Sequence, residues 1–261
     1  MNQKLVFYFD EFYTLQNDYT IISRRRRGNL KAKTLLSTAE KVARILSWFP
    51  FVRGVAISGS LSKNYADETS DIDLFIITQK NRLWLARTLM HILKKFSYLA
   101  NKQELFCMNY FVDEACLEIE EKNLYTATEI ATLLPLRGIK AFKAFYQQNT
   151  WGRSFLPNHS MRISYVKDIE KSFLKRTLEF LLDNAVGNFI DNVLMKVTAY
   201  RWNQKTNKGK LNSRGIIMSM KAGKHYAKPD PGNFQVKLMM KYEKKVYQVL
   251  NHSVRSLKTI S

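Results

Sequence analysis

Two short stretches of the chain have the residue pattern of β-strands. Residues 54–58 form a short apolar run, and residues 71–78 are rich in β-branched and aromatic side chains, which is typical of strands. The two-residue period of a strand places Asp71 and Asp73 on the same face. We therefore expect this face to meet solvent, a metal or a ligand rather than the main core.

Apolar residues recur with helical spacing along most of the remaining chain. This spacing predicts helices over residues 1–20, 29–48, 81–99, 166–202 and 234–257, with a further helix starting at 126–129. Residues 105–112 and 116–121 have the pattern of two hairpin strands joined by a turn at 113–115. The pattern predicts an α+β fold in which a small mixed β-sheet with helices is followed by a helical C-terminal domain.

Changes in this pattern divide the chain into three predicted parts. They are an N-terminal helix with an arginine-rich segment (1–29), a sheet domain that contains both strands (30–123) and a helical C-terminal domain (124–261). In the long helix of the last part, Asn184, Asn188 and Asn192 form a polar stripe at i, i+4 spacing. Such a stripe can face a ligand cleft, but more often it faces solvent or caps neighbouring backbone.

Asp71 and Asp73 are the candidate metal ligands. Two like charges that share one partly buried face are costly, because each raises the pKa of the other and neither is fully solvated. A divalent cation between them removes this cost, and carboxylate oxygens suit Mg²⁺. The residues therefore predict a magnesium site at this strand.

A small-residue turn precedes the carboxylates. Gly59-Ser60 is followed, after a gap of ten residues, by Asp71-Ile72-Asp73-Leu74 in an apolar setting. This arrangement resembles the signature of the DNA polymerase β-type nucleotidyltransferase superfamily. The resemblance implies a polymerase β-like nucleotidyltransferase fold in which Gly59 and Ser60 contact the nucleotide phosphates, as helix N-termini do. It also implies that Asp71 and Asp73 bind Mg²⁺, which bridges the triphosphate and the attacking hydroxyl. Lys63 falls where many members carry Arg or Lys, so it is a candidate phosphate contact.

The third carboxylate that the family usually supplies has several candidates. Glu118 lies between two apolar residues and is the predicted metal ligand or base. Many members place this carboxylate on the preceding strand, where this chain has Asn109, which can ligate a metal but cannot act as a base. Asp113 lies at the predicted turn and is expected to stabilise it. If no carboxylate serves, the chain binds nucleotide without transferring it.

The chain is strongly basic. Its 42 Lys and Arg against 22 Asp and Glu give a formal net charge of +20, which attracts polyanions. Residues 24–27 are four consecutive arginines, and residues 201–228 contain no acidic residue. Stacking surfaces are predicted near the second segment, at Tyr200, Trp202, His225 and Tyr226. A nucleic-acid acceptor or activator fits this charge, but so do solvated faces or a triphosphate alone.

Several classes of protein are excluded by composition. The chain contains no stretch of 18 uncharged apolar residues, and its start lacks a signal peptide, so we expect no membrane span and a cytoplasmic location. Cys107 and Cys116 fall on opposite arms of the predicted hairpin, and we expect them to be reduced. The four histidines lack ligand spacing, so no structural zinc is expected.

The predicted function is Mg²⁺-dependent transfer of a nucleoside monophosphate from an NTP to an acceptor hydroxyl, with release of pyrophosphate. The alternatives are a cyclic-nucleotide synthase and a catalytically inactive member that binds nucleotide or nucleic acid. The sequence specifies neither the base nor the acceptor.

Overall fold

The computed structural model describes residues 6–98, 107–159, 162–163, 166–170, 172–211, 220–229 and 234–258. The chain starts with a hairpin of two short strands, β1 (Phe7–Phe9) and β2 (Phe12–Thr14). The predicted helix over residues 1–20 is therefore wrong. Asp10 and Glu11 adopt positive φ angles of 42° and 68°, and this turn pairs the two aromatic segments instead of continuing a helix.

Fourteen further α-helices and β-strands follow along the described residues. They are α1 (Thr20–Ser47), β3 (Val52–Ile57), α2 (Gly59–Ser62), β4 (Asp73–Thr78), α3 (Leu83–Tyr98), β5 (Cys107–Asp113), α4 (Leu124–Thr132), β6 (Leu134–Arg137), α5 (Ile139–Gln148), α6 (Phe173–Leu182), α7 (Ala185–Asn207), β7 (Met220–Ala222), β8 (Tyr226–Pro229) and α8 (Phe234–Lys258). Among the described residues, no helix is both long enough and apolar enough to cross a membrane.

Six of these strands form one mixed sheet in the order β6-β3-β4-β5-β8-β7. Strands β4 and β5 are parallel, and the other neighbouring strands are antiparallel. The predicted α+β fold, with a small mixed sheet and a mostly helical C-terminal region, is confirmed. Strands β6, β7 and β8 come from the region predicted as helical, so the sheet extends beyond residues 30–123. The three-part domain division stays a prediction.

Helices cover both faces of the sheet. One core contains Leu74 and Ile76 of β4 with apolar residues of α1 and α3, including Ala43 and Trp84. The other core contains Phe75 of β4 with residues of α4 and α5. Because both faces are packed, the open positions of the central strands lie at their ends, where loops enter and leave the sheet.

Helix α1 includes the arginine block that the sequence pattern separated from it. The helix begins at Thr20 rather than at residue 29, and Arg24–Arg27 lie within its first turns. A stripe of small apolar residues, including Ala32 and Ala39, is fully buried against the sheet. Small side chains allow α1 to lie close to the strands, and this packing stabilises a helix whose N-terminal half is highly charged.

The predicted hairpin and the predicted long helix both differ from the structure. Residues 107–113 form β5, whose predicted start at residue 105 lies outside the described residues, but residues 116–121 are not a strand. Val166–Trp202 is not one helix, because α6 ends at Leu182 and α7 starts at Ala185. Asn184 accepts hydrogen bonds from the N–H groups of Val186 and Gly187 at 3.0 and 3.1 Å, so it caps a new helix.

A buried lysine and glutamate attach α6 to the sheet. Lys175 is 1% exposed and donates from Nζ to the carbonyls of Ser47 and Val52 at 2.8 and 2.9 Å. Glu179 accepts from the N–H of Phe51 and from Arg53 Nη1, both at 2.7 Å. Burial opposes ionisation of Glu179, but these two donors outweigh it and hold its pKa below the usual range.

Candidate active site

The turn at Gly59 connects β3 to a one-turn helix. Gly59 has φ of +67°, a left-handed conformation that glycine adopts without steric cost. A Cβ added at Gly59 would overlap the Oδ2 atom of Asp73. The N–H of Ser58 donates to the carbonyl of Asp73 at 2.9 Å, so the turn is fastened to the first residue of β4. Glycine is required here both by the backbone and by the neighbouring carboxylate.

Asp73 lies beside this turn, and both Asp71 and Asp73 are partly exposed. Only Asp73 belongs to β4, because the strand begins there and Asp71 lies in the preceding loop. Ile72 between them is fully buried, and its carbonyl accepts from the N–H of Cys107 at 2.7 Å. The pattern of partly exposed, buried and partly exposed residues is that of two carboxylates on one open side of extended backbone.

Three cationic side chains bind the carbonyl groups of the turn. Lys63 Nζ donates to the carbonyl of Gly59 at 3.0 Å, and Arg162 Nη1 donates to the carbonyl of Ser62 at 2.8 Å. Arg25 Nη2 donates to the carbonyl of Lys63 at 2.7 Å. Last-turn carbonyls of a helix lack intrahelical partners, and cations are their favoured partners. These contacts hold α2 in place while Ser60 remains exposed.

Lys63, the predicted phosphate contact, also has a carboxylate partner. Its Nζ atom lies 2.9 Å from Oε1 of Glu129 on α4, and both side chains are about one-third exposed or less, at 31% and 28%. This ion pair links the turn to α4. The role of Lys63 toward a phosphate stays a prediction, since its ammonium group already has two acceptors.

Glu118 lies in the segment that follows β5, between two buried apolar residues. Leu117 and Ile119 are buried as predicted, because Asn149 binds the carbonyl of Leu117 and the N–H of Ile119 at 2.8 and 2.9 Å. Glu118 between them is exposed and pairs with Lys122 at 2.6 Å. Among the described residues, no group of three His, Cys, Asp or Glu side chains is placed to hold a metal. Glu118 as the third carboxylate stays a prediction.

Asp113 is not near the aspartate pair. Asp73 pairs in register with Cys107, whereas Asp113 pairs with Thr78 at the other end of β5, about 17 Å away for the five residues from Asp73 to Thr78 at 3.3 Å each. Asp113 is fully buried and accepts from the N–H groups of Ala115 and Asn81 at 2.9 and 2.8 Å. It stabilises the turn, as expected, and cannot be the third ligand.

Two other features of β5 bear on the sequence predictions. The backbone of Asn109 lies at an irregularity of the ladder, since Met108 pairs with Leu74 and Tyr110 pairs with Phe75. The structure describes the backbone of Asn109 but not its side chain. Cys107 and Cys116 are separated by the length of β5 and form no disulfide, so they do not lie on the two arms of a hairpin as predicted.

Sequence reasoning missed a buried aspartate on α7. Asp191 accepts from the N–H of Leu85 at 2.8 Å, in the first turn of α3. Burial raises the pKa of Asp191 to about 6, although its backbone partners and Arg82 lower it. In the predicted asparagine stripe, Asn184 caps α7 and Asn188 accepts from Arg82, so these two residues are structural.

A cleft lies at the ends of β3 and β4 that are opposite to the Gly59 turn. It has a volume of about 580 Å³ and is lined by Arg53, Gln79 and Glu179, among others. Arg53 is bonded to both Glu179 and Gln79. These polar groups satisfy one another, which is the pattern of a structural ion pair rather than of a site that awaits a ligand. The turn at Gly59 is therefore the candidate active site.

Comparison with known proteins agrees with this geometry. Residues 39–141 match the family described as "Nucleotidyltransferase domain". This part of the chain is therefore similar to nucleotidyltransferase domains. The match contains β3, the Gly59 turn, both aspartates and strands β4 to β6, and it ends within α5. Searches of curated proteins and of solved structures found no match.

The family match indicates a transferase of nucleotidyl groups. The resemblance recognised from Gly59-Ser60 and Asp71-x-Asp73 is confirmed by this match. The carboxylate donors beside Gly59 suit a hard divalent cation, which such domains generally use. The family match specifies neither the nucleotide base nor the acceptor nor the metal of this chain.

Proposed function

We propose that this protein is a Mg²⁺-dependent nucleotidyltransferase that moves a nucleoside monophosphate from an NTP to an acceptor hydroxyl. The oxygen of the acceptor forms a bond to the α-phosphorus, and the bond from that phosphorus to the β-phosphate oxygen breaks. Pyrophosphate leaves, and the proton of the hydroxyl passes to a base or to solvent. The family match supports nucleotidyl transfer, and the donor set of the turn supports the metal.

The observation that carries the proposal is the contact between Gly59 and the carboxylate of Asp73. The carboxylate of Asp73 lies against the turn at Gly59. Because this carboxylate repels a triphosphate, the turn suits a triphosphate only if a cation neutralises Asp73. Asp71 and Asp73 fit Mg²⁺ because both are partly exposed carboxylates on one side of the chain. When bound, Mg²⁺ supplies charge neutralisation for the triphosphate and the leaving pyrophosphate.

The residues of the turn have a positioning role in this proposal. Ser60 and the neighbouring N–H groups orient the phosphates, and the cations on the carbonyl groups of α2 keep the turn from moving. Most of the rate enhancement then comes from positioning and from charge stabilisation. Glu118 remains the predicted base. The cytoplasmic location predicted from the sequence is part of the same proposal.

The test is incubation of the protein with each α-³²P-labelled NTP and Mg²⁺, with and without RNA, followed by separation of the products. Label joined to an acceptor supports the proposal, whereas a cyclic product would assign a cyclic-nucleotide synthase. Nucleotide binding without any product would contradict catalysis. Asp71→Asn and Asp73→Asn should each abolish transfer, and Asp168→Asn, at an exposed aspartate outside the turn, should not.

A further variant decides the base. If Glu118→Gln loses as much activity as Asp73→Asn while it binds Mg²⁺ and NTP normally in calorimetry, Glu118 takes the proton. If Glu118→Gln retains activity, the exposed ion pair with Lys122 is its whole role, and the base lies elsewhere.

A further inference from the structure

We propose that the N-terminal hairpin and the first turns of α1 form a binding surface for single-stranded nucleic acid beside the active site. The surface consists of the outward rings of Tyr8, Tyr13 and Tyr19 and the guanidinium groups of Arg24 and Arg27. Its use as the site of the acceptor strand rests on the proposed function. Its binding of nucleic acid does not.

Helix α1 is attached directly to the active-site turn. Arg25 donates to the carbonyl of Lys63 at 2.7 Å and lies over the ring of Tyr65. The N–H of Ala66 donates to the carbonyl of Gly28 at 3.2 Å. A Cβ added at Gly28 would overlap the Tyr65 ring, so helix and loop are in close contact. The arginine block, more than 30 residues from Gly59 in sequence, is therefore a neighbour of the turn.

Two arginines of the block are available for a ligand. Arg25 and Arg26 are occupied by Lys63 and by Asp10, respectively. Arg24 and Arg27 are exposed, and neither forms an ion pair within the part of the chain that the structure describes. They are three residues apart in a helix, so their side chains project from one side. Lys31, one turn further on, pairs with Glu68 in the loop that leads to Asp71.

Exposed aromatic rings continue this basic face. Tyr8 and Tyr13 are cross-strand partners with ring centroids 5.0 Å apart, and they are 60% and 77% exposed. Asp10 in the hairpin turn pairs with Arg26 at 3.2 Å and accepts from the Tyr19 hydroxyl. These contacts dock the hairpin on the start of α1. Clustered exposed rings are typical of interaction surfaces, and tyrosine rings are stacking platforms that unpaired bases use.

The combination favours nucleic acid over an acidic protein. Guanidinium groups bind phosphates in either case, but planar rings beside them match the alternation of phosphate and base along a single strand. Residues 201–228, the stacking segment expected from the sequence, fit less well. Trp202 is only 7% exposed and packs on Trp84, and His225 is bonded to Asp113. Tyr200 beside that segment is exposed, but the paired exposed rings of Tyr8 and Tyr13 lie at the N-terminal hairpin.

The test measures binding of a fluorescein-labelled oligouridylate of about twenty nucleotides by anisotropy at several KCl concentrations. Arg24→Gln/Arg27→Gln should weaken binding about tenfold or more, and the slope of log affinity against log salt should fall by about 1.4, at 0.7 per lost phosphate contact. Tyr8→Leu/Tyr13→Leu, which keeps the outer face of the hairpin apolar, should weaken binding about fivefold or more.

The matched control is Lys33→Gln/Lys41→Gln, which removes two exposed cations from the same helix. If this control loses as much affinity as Arg24→Gln/Arg27→Gln, the attraction is general charge and the proposed surface is wrong. Displacement of the RNA by polyglutamate at equal charge concentration would instead assign an acidic protein and overturn the proposal.

The same proteins separate this inference from the proposed function. Asp71→Asn/Asp73→Asn should still bind the oligouridylate but transfer no nucleotide. If the wild-type protein binds RNA through Arg24 and Arg27 yet transfers nucleotide to no acceptor, the proposed function fails and the surface stands. If transfer to RNA occurs and is insensitive to Arg24→Gln/Arg27→Gln, the surface is not the acceptor site.

Discussion

The carboxylate of Asp73 occupies the space that a Cβ atom at Gly59 would need. Gly59 follows the end of β3, and Asp73 begins β4. The N–H of Ser58, the residue before Gly59, donates to the carbonyl of Asp73. The absence of a side chain at position 59 therefore determines where the acid of the candidate metal site lies.

Gly59→Ala should displace Asp73 and abolish Mg²⁺ and NTP binding in calorimetry. The substitution also places alanine at φ of +67°, which costs about 1 kcal/mol or somewhat more of stability. Gly209→Ala is the matched control, because Gly209 has φ of +59° but nothing within 4 Å of an added Cβ. Both variants should lose similar stability from strain, and only Gly59→Ala should lose binding. Normal Mg²⁺ binding by Gly59→Ala would refute the contact as the basis of the site.

Lys63→Met and Glu129→Gln distinguish two roles of the lysine. Both variants break the ion pair, which is partly exposed and is worth at most about 1 kcal/mol. If Lys63 contacts phosphate, Lys63→Met should weaken NTP binding about tenfold, whereas Glu129→Gln should leave it unchanged or tighten it. Equal effects of the two substitutions on NTP affinity would show that Lys63 only holds the turn against α4.

Lys175→Met should destabilise the fold by about 2–4 kcal/mol, because it leaves the buried carbonyls of Ser47 and Val52 without their shared donor. It also leaves Glu179 with less positive charge nearby. Urea unfolding measures the change. Arg176→Met, at an exposed position one residue along α6, should change stability by less than about 0.5 kcal/mol. A small effect at Lys175 would mean that α6 is not anchored through this side chain.

Asp191 should make stability depend on pH. Its pKa is about 6 in the folded protein and 3.8 ordinarily, so between these values the folded state holds a proton that the unfolded state has released. The free energy of unfolding therefore falls as pH rises from about 4 to about 6. Asp191→Asn keeps an acceptor for Leu85 but cannot titrate. Relative to wild type, it should gain up to about 3 kcal/mol across this interval.

Urea unfolding of both proteins at about pH 4 and about pH 7 provides the comparison for Asp191. Other titrating groups, such as Glu179, are present in both proteins and cancel in the difference. A pH-independent difference between the two proteins would show that the pKa of Asp191 is the same in the folded and unfolded states.

The strands around the active site were predictable because their signals are local. The apolar run before Gly59, the alternation through Asp73 and the spacing between the two motifs can all be read from neighbouring residues. Helix α8 was predicted to within one residue, since its amphipathic repeat is uninterrupted. These features also sufficed to recognise the nucleotidyltransferase signature.

Errors arose where distant residues compete with local preference. The aromatic residues 7–14 have an ambiguous period, and the turn at Asp10-Glu11 and its contacts with Tyr19 and Arg26 select a hairpin. The break between α6 and α7 depends on Arg82, which binds the carbonyls of Leu182 and Asn184 from across the fold. A contact between Arg82 and residues about 100 positions later cannot be predicted from a local pattern.

The sequence alone thus specified the turn, the two aspartates and the class of chemistry, because each depends on residue type and short spacing. Folding was needed to show that Asp73 lies against Gly59, that Asp113 lies at the other end of β5, and that Arg25 attaches the arginine block to the turn. These relationships join segments that are far apart along the chain, and their geometry follows from how strands and helices pack rather than from the order of residues.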